Sequence, residues 1–207
     1  MTRRLFSLIL LSGKLTFSAQ NQNDSLAIST AATEDTTNII LQKLRINSAY
    51  ADYAAGIFGK HLYFVSSRPN QVGVQYVDKK GNDAITDIYR CQKKDSVSFG
   101  SVKPLPAPPN TKFYEGPFCL TADEKTIFIS SNNRKTGMLA LYVSGYEKGK
   151  WSAPEKMIFC NDSFSYCHPA LSASGKRLYF SSDKPGGAGG MDIFYTDLVD
   201  GSWTEPV

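Results

Sequence analysis

One passage occurs three times in this chain at nearly constant spacing. Residues 168–183 read HPALSASGKRLYFSSD, residues 116–131 read GPFCLTADEKTIFISS, and residues 54–68 read AAGIFGKHLYFVSSR. Each copy has a short apolar run, a polar turn with Lys at its end, and an alternating run that closes on Ser-Ser. A large aromatic residue follows each copy at intervals of 52 residues: Phe99, Trp151 and Trp203. A fixed period of this length indicates a repeated supersecondary unit.

Each unit contains four strand-like segments. In the third copy these are residues 168–172, 177–182, 192–197 and 202–207, separated by turns rich in Gly and Pro. Short β-rich runs at this spacing favour antiparallel sheets, and four-stranded sheets repeated around an axis are the blades of a β-propeller. We therefore predict an all-β fold, a partial β-propeller of about three four-stranded antiparallel blades. The predicted blades span approximately residues 48–105, 111–158 and 165–207.

Residues 39–46 are predicted to form an N-terminal closing strand. Asn47, Asn110 and Asn161 precede the three blades at equivalent places, so the segment before Asn47 takes the position of an outermost strand. A helix over residues 37–46 is the alternative, since a Thr is available as its cap. Three blades and one strand do not close a ring of about four to eight blades. Residues 39–207 are therefore predicted to be an incomplete propeller whose open end exposes apolar surface and favours self-association.

The N-terminal region predicts export. Arg3 and Arg4 precede an apolar stretch over residues 5–11, which is typical of a signal peptide and predicts cleavage near residue 19. The apolar stretch is too short for a helix that spans a membrane. Residues 20–38 are polar and poor in aromatic residues, which predicts a disordered leader. We expect a periplasmic or outer-membrane-associated protein that does not span the membrane.

Charge and motifs favour neither nucleic acid nor a cofactor. Loss of residues 1–19 would remove three basic residues and no acidic one, so the formal net charge would fall from +4 to +1. A nearly neutral chain is not typical of nucleic-acid binding. The glycine-rich residues 185–190 precede a predicted strand, whereas a phosphate-binding loop opens a helix. No C-x-x-C motif is present, and we predict no metal and no cofactor.

No catalytic residue is predicted. His61 lies within a core strand pattern, whereas His168 begins an innermost strand, where it either faces the central channel or bonds a neighbouring loop. Glu115 is an acid at the entry of an inner strand, with no second carboxylate at the spacing that a glycosidase needs. Asp87 and Asp192 occupy one repeat position and are expected to bond the preceding turn. The candidates for a channel-mouth binding site are Glu115, His168, Tyr114 and Tyr166.

The chain has four cysteines, an even number that permits disulfides in an exported protein. Cys160 and Cys167 flank one loop between repeats, and a local disulfide between them is compatible with that placement. Cys91 and Cys119 lie in different copies and are expected to be small buried apolar residues.

The 168–207 stretch resembles the WD-like (TolB-type) β-propeller repeat. The segments LRINSAYADY, NTKFYEGPFCLTADEKTIFISSNN and 168–207 are similar to the propeller of the outer-membrane protein A-like family of Bacteroidetes, and the likeness covers about residues 39–207. In that family a carboxypeptidase-regulatory-like domain and a peptidoglycan-binding domain follow the propeller. This sequence has no peptidoglycan-binding segment, so no wall-anchoring residue is carried over. Asp123 and Glu124 replace the usual Asp-Gly turn of the second copy.

The resemblance implies a non-enzymatic cell-envelope scaffold that binds a protein or glycan partner. It further implies the N-terminal part of a longer, peptidoglycan-associated outer-membrane protein. One alternative is the substrate-gating propeller of a prolyl-oligopeptidase-like hydrolase whose catalytic domain is not in this sequence. Another is a carbohydrate-binding or lyase propeller, which requires acids and aromatic residues that occur in one copy and face the channel.

Overall fold

A computed structural model of the chain describes residues 42–69, 85–111, 113–132 and 136–207. All regular secondary structure in these ranges is β, and it forms three antiparallel sheets of four or five strands. The prediction of an all-β chain with three antiparallel sheets is therefore confirmed. Within these ranges the fold has no helix with the length and apolar character to cross a membrane. The predicted signal peptide and leader lie outside the described residues.

The first sheet has the strand order β1-β2-β3-β4. Its strands are β1 (Asp52–Phe58), β2 (His61–Ser66), β3 (Asp87–Gln92) and β4 (Lys103–Pro104). A two-residue turn joins β1 to β2, and Gly59 in that turn has a φ of +51°, a conformation that glycine adopts without a steric penalty.

The second sheet has the order β5-β6-β7-β8, with one more strand beside β7. Its strands are β5 (Glu115–Leu120), β6 (Thr126–Asn132), β7 (Leu139–Glu147), β8 (Lys150–Trp151) and β9 (Glu155–Lys156). Both β8 and β9 pair with β7, at successive positions along it. They therefore act as one outermost strand that is interrupted by a short irregular segment.

The third sheet repeats this plan in the order β10-β11-β12-β13. Its strands are β10 (Tyr166–Leu171), β11 (Arg177–Ser182), β12 (Asp192–Val199) and β13 (Ser202–Trp203). Beyond β13 the chain returns to the sheet, because Val207 and Tyr195 exchange two backbone hydrogen bonds of 2.9 Å. The outermost strand is thus interrupted here as in the second sheet.

The three sheets pack side by side in chain order. Because successive side chains of a strand point to opposite faces, β6 contributes to two apolar clusters. Ile127 and Ile129 pack against the first sheet, and Phe128 packs against the third. The repeated aromatic residues fill the same contacts: Trp151 lies in the cluster shared with the first sheet, and the ring of Trp203 meets that of Phe128 edge-on at 5.6 Å.

The outer face of the first sheet is covered by the chain itself. Its aromatic and aliphatic side chains are almost inaccessible to solvent: Leu62, Phe64, Tyr89 and Cys91. The partly buried side chains of Ile46, Phe99 and Val102 pack against them. The guanidinium of Arg68 lies 5.0 Å from the ring centre of Phe64 and 5.4 Å from that of Tyr89, within the range of a cation–π contact. We call this surface the covered face.

The outer face of the third sheet is open. Its side chains from β11, β12 and the C-terminal segment point away from the second sheet, and we call them the open face: Tyr179, Ile193, Tyr195, Val199 and Val207. Three of these are well exposed, with Ile193 at 79%, Val207 at 70% and Val199 at 53% of their full accessible area.

The predicted closing strand is wrong over residues 42–46, while residues 39–41 lie outside the described ranges. Arg45 and Ile46 form a turn, closed by a 3.2 Å hydrogen bond from the amide of Asn47 to the carbonyl of Leu44. The segment packs against the covered face through Ile46 instead of pairing as a strand.

Candidate functional site

A buried polar side chain stands at the entry of the first strand of each sheet. These side chains are Asp52, Glu115 and Tyr166, each five residues after the repeated asparagine. Each bonds the connecting segment that leads into its sheet. Asp52 accepts from the amide of Ser48, Glu115 accepts from the hydroxyl of Thr111, and Tyr166 accepts from the amide of Asn161. In all three sheets, therefore, the side chain at this repeat position holds the connecting loop by a hydrogen bond, although the residue type differs from sheet to sheet.

In the first sheet this position holds a buried ion pair. The guanidinium of Arg68 lies 2.8 Å from a carboxylate oxygen of Asp52, and the hydroxyl of Ser66 donates to the same oxygen at 2.7 Å. Burial raises the pKa of Asp52, but the hydrogen bonds from Arg68, Ser66 and Ser48 outweigh burial and hold that pKa below its usual value. The ionised carboxylate of Asp52 therefore has a structural role, because both of its oxygens accept hydrogen bonds from neighbouring residues.

In the second sheet the same position holds a carboxyl pair. Glu115 is only 1% exposed, and burial, together with the neighbouring carboxylate of Asp87, raises its pKa to about 8 despite the bond from Thr111. Burial also raises the pKa of Asp87, to about 6. Oε2 of Glu115 has no donor among the described residues. Burial disfavours charge on both carboxyls, so the pair is favoured when a proton is shared between them.

A pocket of about 70 Å³ lies against Glu115. Its wall combines rings and prolines with a few convergent polar groups: Pro109, Thr111, Phe113, Glu115, Ile129, Ser131, Asn132, Tyr142 and Pro154. Concave sites with an apolar wall and a small number of placed polar groups are typical of ligand binding. We call this cavity the Glu115 pocket.

The other three channel-mouth candidates are not gathered in this pocket. Tyr166 is buried in the cluster between the second and third sheets. Tyr114 is half-buried, and its amide donates to the side-chain oxygen of Asn132 at 3.2 Å. The side chain of His168 is exposed, while its amide donates to the hydroxyl of Ser130 at 3.0 Å. Only Glu115 of the four candidates lines the pocket.

The first strand of each sheet contains a β-bulge. The register of β1, β5 and β10 shifts between Tyr53 and Gly56, Glu115 and Phe118, and Cys167 and Ala170. One residue at each shift has a positive φ: Ala54 at +51°, Gly116 at +100° and His168 at +56°. Ala54 and His168 thus hold a conformation that is uncommon outside glycine. Bulges of this kind re-aim side chains at the edge of a sheet, and here they bring the imidazole of His168 to the surface.

His61 joins the first two sheets. Its Nδ1 lies 2.8 Å from Oε2 of Glu124, and the hydroxyl of Tyr63 donates to the same oxygen at 2.7 Å. Glu124 has a φ of +57° in the turn where the resembling repeats carry Gly. The strained conformation is offset by two hydrogen bonds to the neighbouring sheet. Burial, and then Glu124, raise the pKa of Tyr63 to about 12.

The disulfide predicted between Cys160 and Cys167 is absent, because all four cysteines are buried free thiols. Cys160 packs with Tyr166 in the cluster between the second and third sheets. Cys167 follows Tyr166 in β10, and neighbouring residues of a strand point to opposite faces. Burial raises the pKa of Cys160 to about 11 and that of Cys119 to about 12, so both remain protonated and unreactive.

Neither a protein-family model nor the sequence of a curated protein matches this chain. Solved structures do match it, among them one from a structural and mechanistic study of two prolyl endopeptidases that stresses inter-domain dynamics in catalysis and specificity. That superposition has a TM-score of 0.42 and 16% sequence identity. It covers 75% of this chain and 21% of the prolyl endopeptidase chain, so the likeness spans about a fifth of that protein.

Sequence reasoning identifies Glu115 but misses its partner. The repeat assigns Asp87 to a bond with the preceding turn because Asp192 stands at the same position, and that assignment holds for Asp192, which accepts from the amide of Gly189 at 2.9 Å. The turn that precedes Asp87 lies outside the described residues, so the assignment stays a prediction for Asp87, whose carboxyl contacts Glu115 of the next sheet. One feature of the sequence does point to this site. Glu115 lies five residues after Asn110, and the equivalent position of the first sheet also holds an acidic residue, Asp52.

Proposed function

We propose that this protein is a non-enzymatic, β-propeller-type scaffold of the cell envelope and that the open face is its interaction surface. The partner that binds the open face is a second copy of the chain. The signal pattern in residues 1–19 supports the export that we propose. The propeller-type arrangement is supported by three repeated antiparallel sheets that stack side by side in chain order.

The observation that carries this proposal is the exposure of repeat positions that are buried elsewhere. Ile193 is 79% exposed, whereas the equivalent Ile88 and Leu141 are fully buried between sheets. Tyr179 is likewise 38% exposed, while its equivalents in the first two sheets lie in the inter-sheet clusters. The third sheet thus presents a surface of the type that receives another sheet elsewhere in the molecule. Exposed apolar surface of this kind marks interaction sites.

Two features favour a second copy of the chain as the partner that binds the open face. They are the charges on the open face and the coverage of the opposite face of the molecule. Arg177 and Asp197 form an ion pair on the open face, with a 2.7 Å contact, so the surface carries both signs and is compatible with its own two-fold image. Head-to-tail stacking would need the covered face, which Ile46, Phe99 and Arg68 already occupy. The expected assembly is a symmetric dimer through two open faces.

The test is the association state of the purified chain and of the variant Ile193→Lys. Burial of one isoleucine contributes about 1.5–3 kcal/mol, and a two-fold interface counts it twice. We expect light scattering coupled to size exclusion to show a concentration-dependent dimer that Ile193→Lys weakens at least 100-fold. Ile158→Lys is the matched control, because Ile158 is 90% exposed, lies on the turn after β9 and is not one of the open-face residues.

A monomer at every concentration, or equal effects of the two lysine variants, would contradict the proposed surface. Circular dichroism of both variants verifies that the sheets are intact. The envelope location has a separate test, in which residues 1–38 are fused to a phosphatase that is active only after export. Absence of phosphatase activity would contradict that location without bearing on the open face.

A further inference from the structure

A second pocket lies where two connecting segments meet beside the first sheet. It is an open concave site of about 520 Å³, lined by residues 45–48 and 99–102 together with Arg68 and Lys94. Ile46, Phe99 and Val102 of these segments also pack on the covered face. None of the open-face residues lines this site, so the proposed dimer leaves it unused. We call it the basic pocket.

The basic pocket has an excess of positive charge. Arg45, Arg68 and Lys94 line it, and none of the lining residues within the described ranges is acidic. The charge of Arg68 is balanced by Asp52, whose carboxylate lies 2.8 Å from the guanidinium. Arg45 and Lys94 are both exposed, and neither forms an ion pair with a described residue. Two positive charges of the pocket therefore remain without a described counter-charge.

The acidic residue that follows Lys94 in the chain does not supply that counter-charge. The carboxylate of Asp95 is turned into its own loop, where it accepts from the amides of Val97 at 2.9 Å and Ser98 at 2.7 Å. The cation whose charge acts on this carboxylate is Lys93, which does not line the pocket. The ammonium group of Lys94 is therefore available to a ligand.

The hydrogen-bonding groups that a ligand can reach in the basic pocket are mainly donors. A guanidinium has five N–H groups and an ammonium three, and neither accepts a hydrogen bond. The hydroxyl of Ser101 is also exposed and has no hydrogen bond with a described residue. The hydroxyl of Ser48, in contrast, is already committed, because it donates to Asp52 at 2.9 Å. A ligand that offers several acceptors and negative charge fits this arrangement.

The amount of charge and the size of the pocket narrow the class of anion. A phosphate monoester carries about −1.5 to −2 charges near neutral pH and presents three acceptor oxygens, whereas a carboxylate carries only one charge. The fork of an arginine pairs with two phosphate oxygens, and a lysine adds a point charge. A volume of about 520 Å³ lies within the usual range of small-molecule sites, so it also accommodates the organic body of the ester.

We propose that the basic pocket binds a phosphate monoester group through Arg45, Lys94 and Ser101. Such a group is carried by phosphorylated small molecules and by the headgroup of phosphatidic acid. Because the three residues come from different segments of the chain, the bound group would join these segments across the first sheet. The inference goes beyond the scaffold proposal and is independent of the open face.

The experiment is an NMR titration of the purified chain with glycerol 3-phosphate at constant ionic strength, in a buffer without phosphate or sulfate, at pH 7.5. We expect saturable shifts for residues of the basic pocket, none with glycerol, and at least fivefold weaker glycerol 3-phosphate binding to Arg45→Gln and to Lys94→Gln. Lys150→Gln is the matched control, because Lys150 is exposed on β8 and does not line the pocket. It is expected to bind like the wild type.

The pH dependence separates a doubly charged ligand from a singly charged one. A phosphate monoester loses its second charge as the pH falls through about 6, so binding at pH 5 should be at least threefold weaker than at pH 7.5. Sulfate keeps both charges at the two pH values and is expected to bind equally well at both, which controls for changes in the protein. Loss of sulfate binding in parallel with loss of phosphate binding would overturn the assignment to a dianion.

Three other results would overturn the proposal. They are the absence of saturable shifts, equal losses in all three glutamine variants, and glycerol 3-phosphate binding that does not change between pH 7.5 and pH 5. The comparisons of ligand and pH use the wild-type chain, so they decide the question without any variant. Ile193→Lys is expected to keep the phosphate site, which separates a failure of this site from a failure of the open face.

Sedimentation with vesicles of phosphatidylcholine, with and without phosphatidic acid, identifies the source of the phosphate group. Binding that requires phosphatidic acid and is weakened by Lys94→Gln would assign the pocket to a lipid headgroup. Saturable glycerol 3-phosphate binding without vesicle binding would assign it to a phosphorylated small molecule. Both results support the phosphate site, whereas vesicle binding that Lys94→Gln leaves unchanged would count against it.

Discussion

Replacing Glu115 by Gln should change how the stability of the protein depends on pH. In the folded chain the pKa of Glu115 is raised from 4.5 to about 8, chiefly by burial. Between these values the unfolded chain has released a proton that the folded chain still holds, so raising the pH favours unfolding. The stabilisation is complete below about pH 4.5 and is lost as the pH rises to about 8.

The size of this effect follows from the difference between the two pKa values. A pKa difference of one corresponds to about 1.4 kcal/mol, so the rise from 4.5 to about 8 gives at most about 5 kcal/mol over the full range. Asp87, with a pKa raised to about 6, adds a decrease of the same sign at lower pH. Between pH 6 and pH 9 Glu115 accounts for a loss of about 3 kcal/mol in the wild type. The buried cysteines, whose pKa values burial also raises, add a smaller decrease of the same sign near pH 9, so the contribution of Glu115 is the difference between the wild type and Glu115→Gln.

Urea unfolding at these two pH values measures the effect. Trp151 and Trp203 both pack at contacts between sheets, so their fluorescence reports loss of the sheet packing. We expect the wild type to lose about 3 kcal/mol of unfolding free energy from pH 6 to pH 9. Glu115→Gln has no proton to release and should lose far less. Glu147→Gln should follow the wild type, because that side chain is exposed.

Two results would refute this reasoning. One is a wild type that is equally stable at pH 6 and pH 9, which would mean that water or local opening hydrates the ionised carboxylate. The other is a parallel decrease in Glu115→Gln, which would assign the pH dependence to other groups.

Two further predictions concern the framework around the site. Arg68→Ala should lower the unfolding free energy by about 3 kcal/mol, because it leaves the buried Asp52 without its cationic partner. Arg177→Ala removes a more exposed ion pair and should lower the unfolding free energy much less. Urea unfolding of both variants tests this, and similar losses would refute it. Gly116→Ala should destabilise by about 1–3 kcal/mol more than Gly149→Ala, because both glycines have positive φ but only the first would press its Cβ into a neighbouring valine. Equal melting temperatures for the two alanine variants would contradict that difference.

The repeat made most of the architecture predictable from sequence. A period of about 52 residues, with turn residues between alternating runs, determined the number and kind of sheets. The bounds of β11 coincide with the predicted segment 177–182. This worked because a repeated unit gives the same local evidence several times, so an irregular copy is interpreted with the help of the regular ones.

The errors arose where one copy departs from the others. The Cys160–Cys167 disulfide failed because proximity in sequence does not show which face of β10 a side chain occupies. The pairing of Asp87 with Glu115 depends on packing between sheets, and no local pattern encodes it. The positive φ of +57° at Glu124 could not be predicted from the sequence either, because the hydrogen bonds that stabilise it come from His61 and Tyr63 of another sheet.

The covered face has a consequence for how far copies of this chain can assemble. A molecule with two exposed and complementary ends would add copies without limit and form filaments. In the described part of the chain, Arg68, Ile46 and Phe99 cover one end, and the open face lies at the other end. In the proposed dimer each open face would be covered by the other, so growth into a fibre would need the covered face. Loss of the Arg68 side chain would then do more than weaken the fold, because it would begin to uncover the second end.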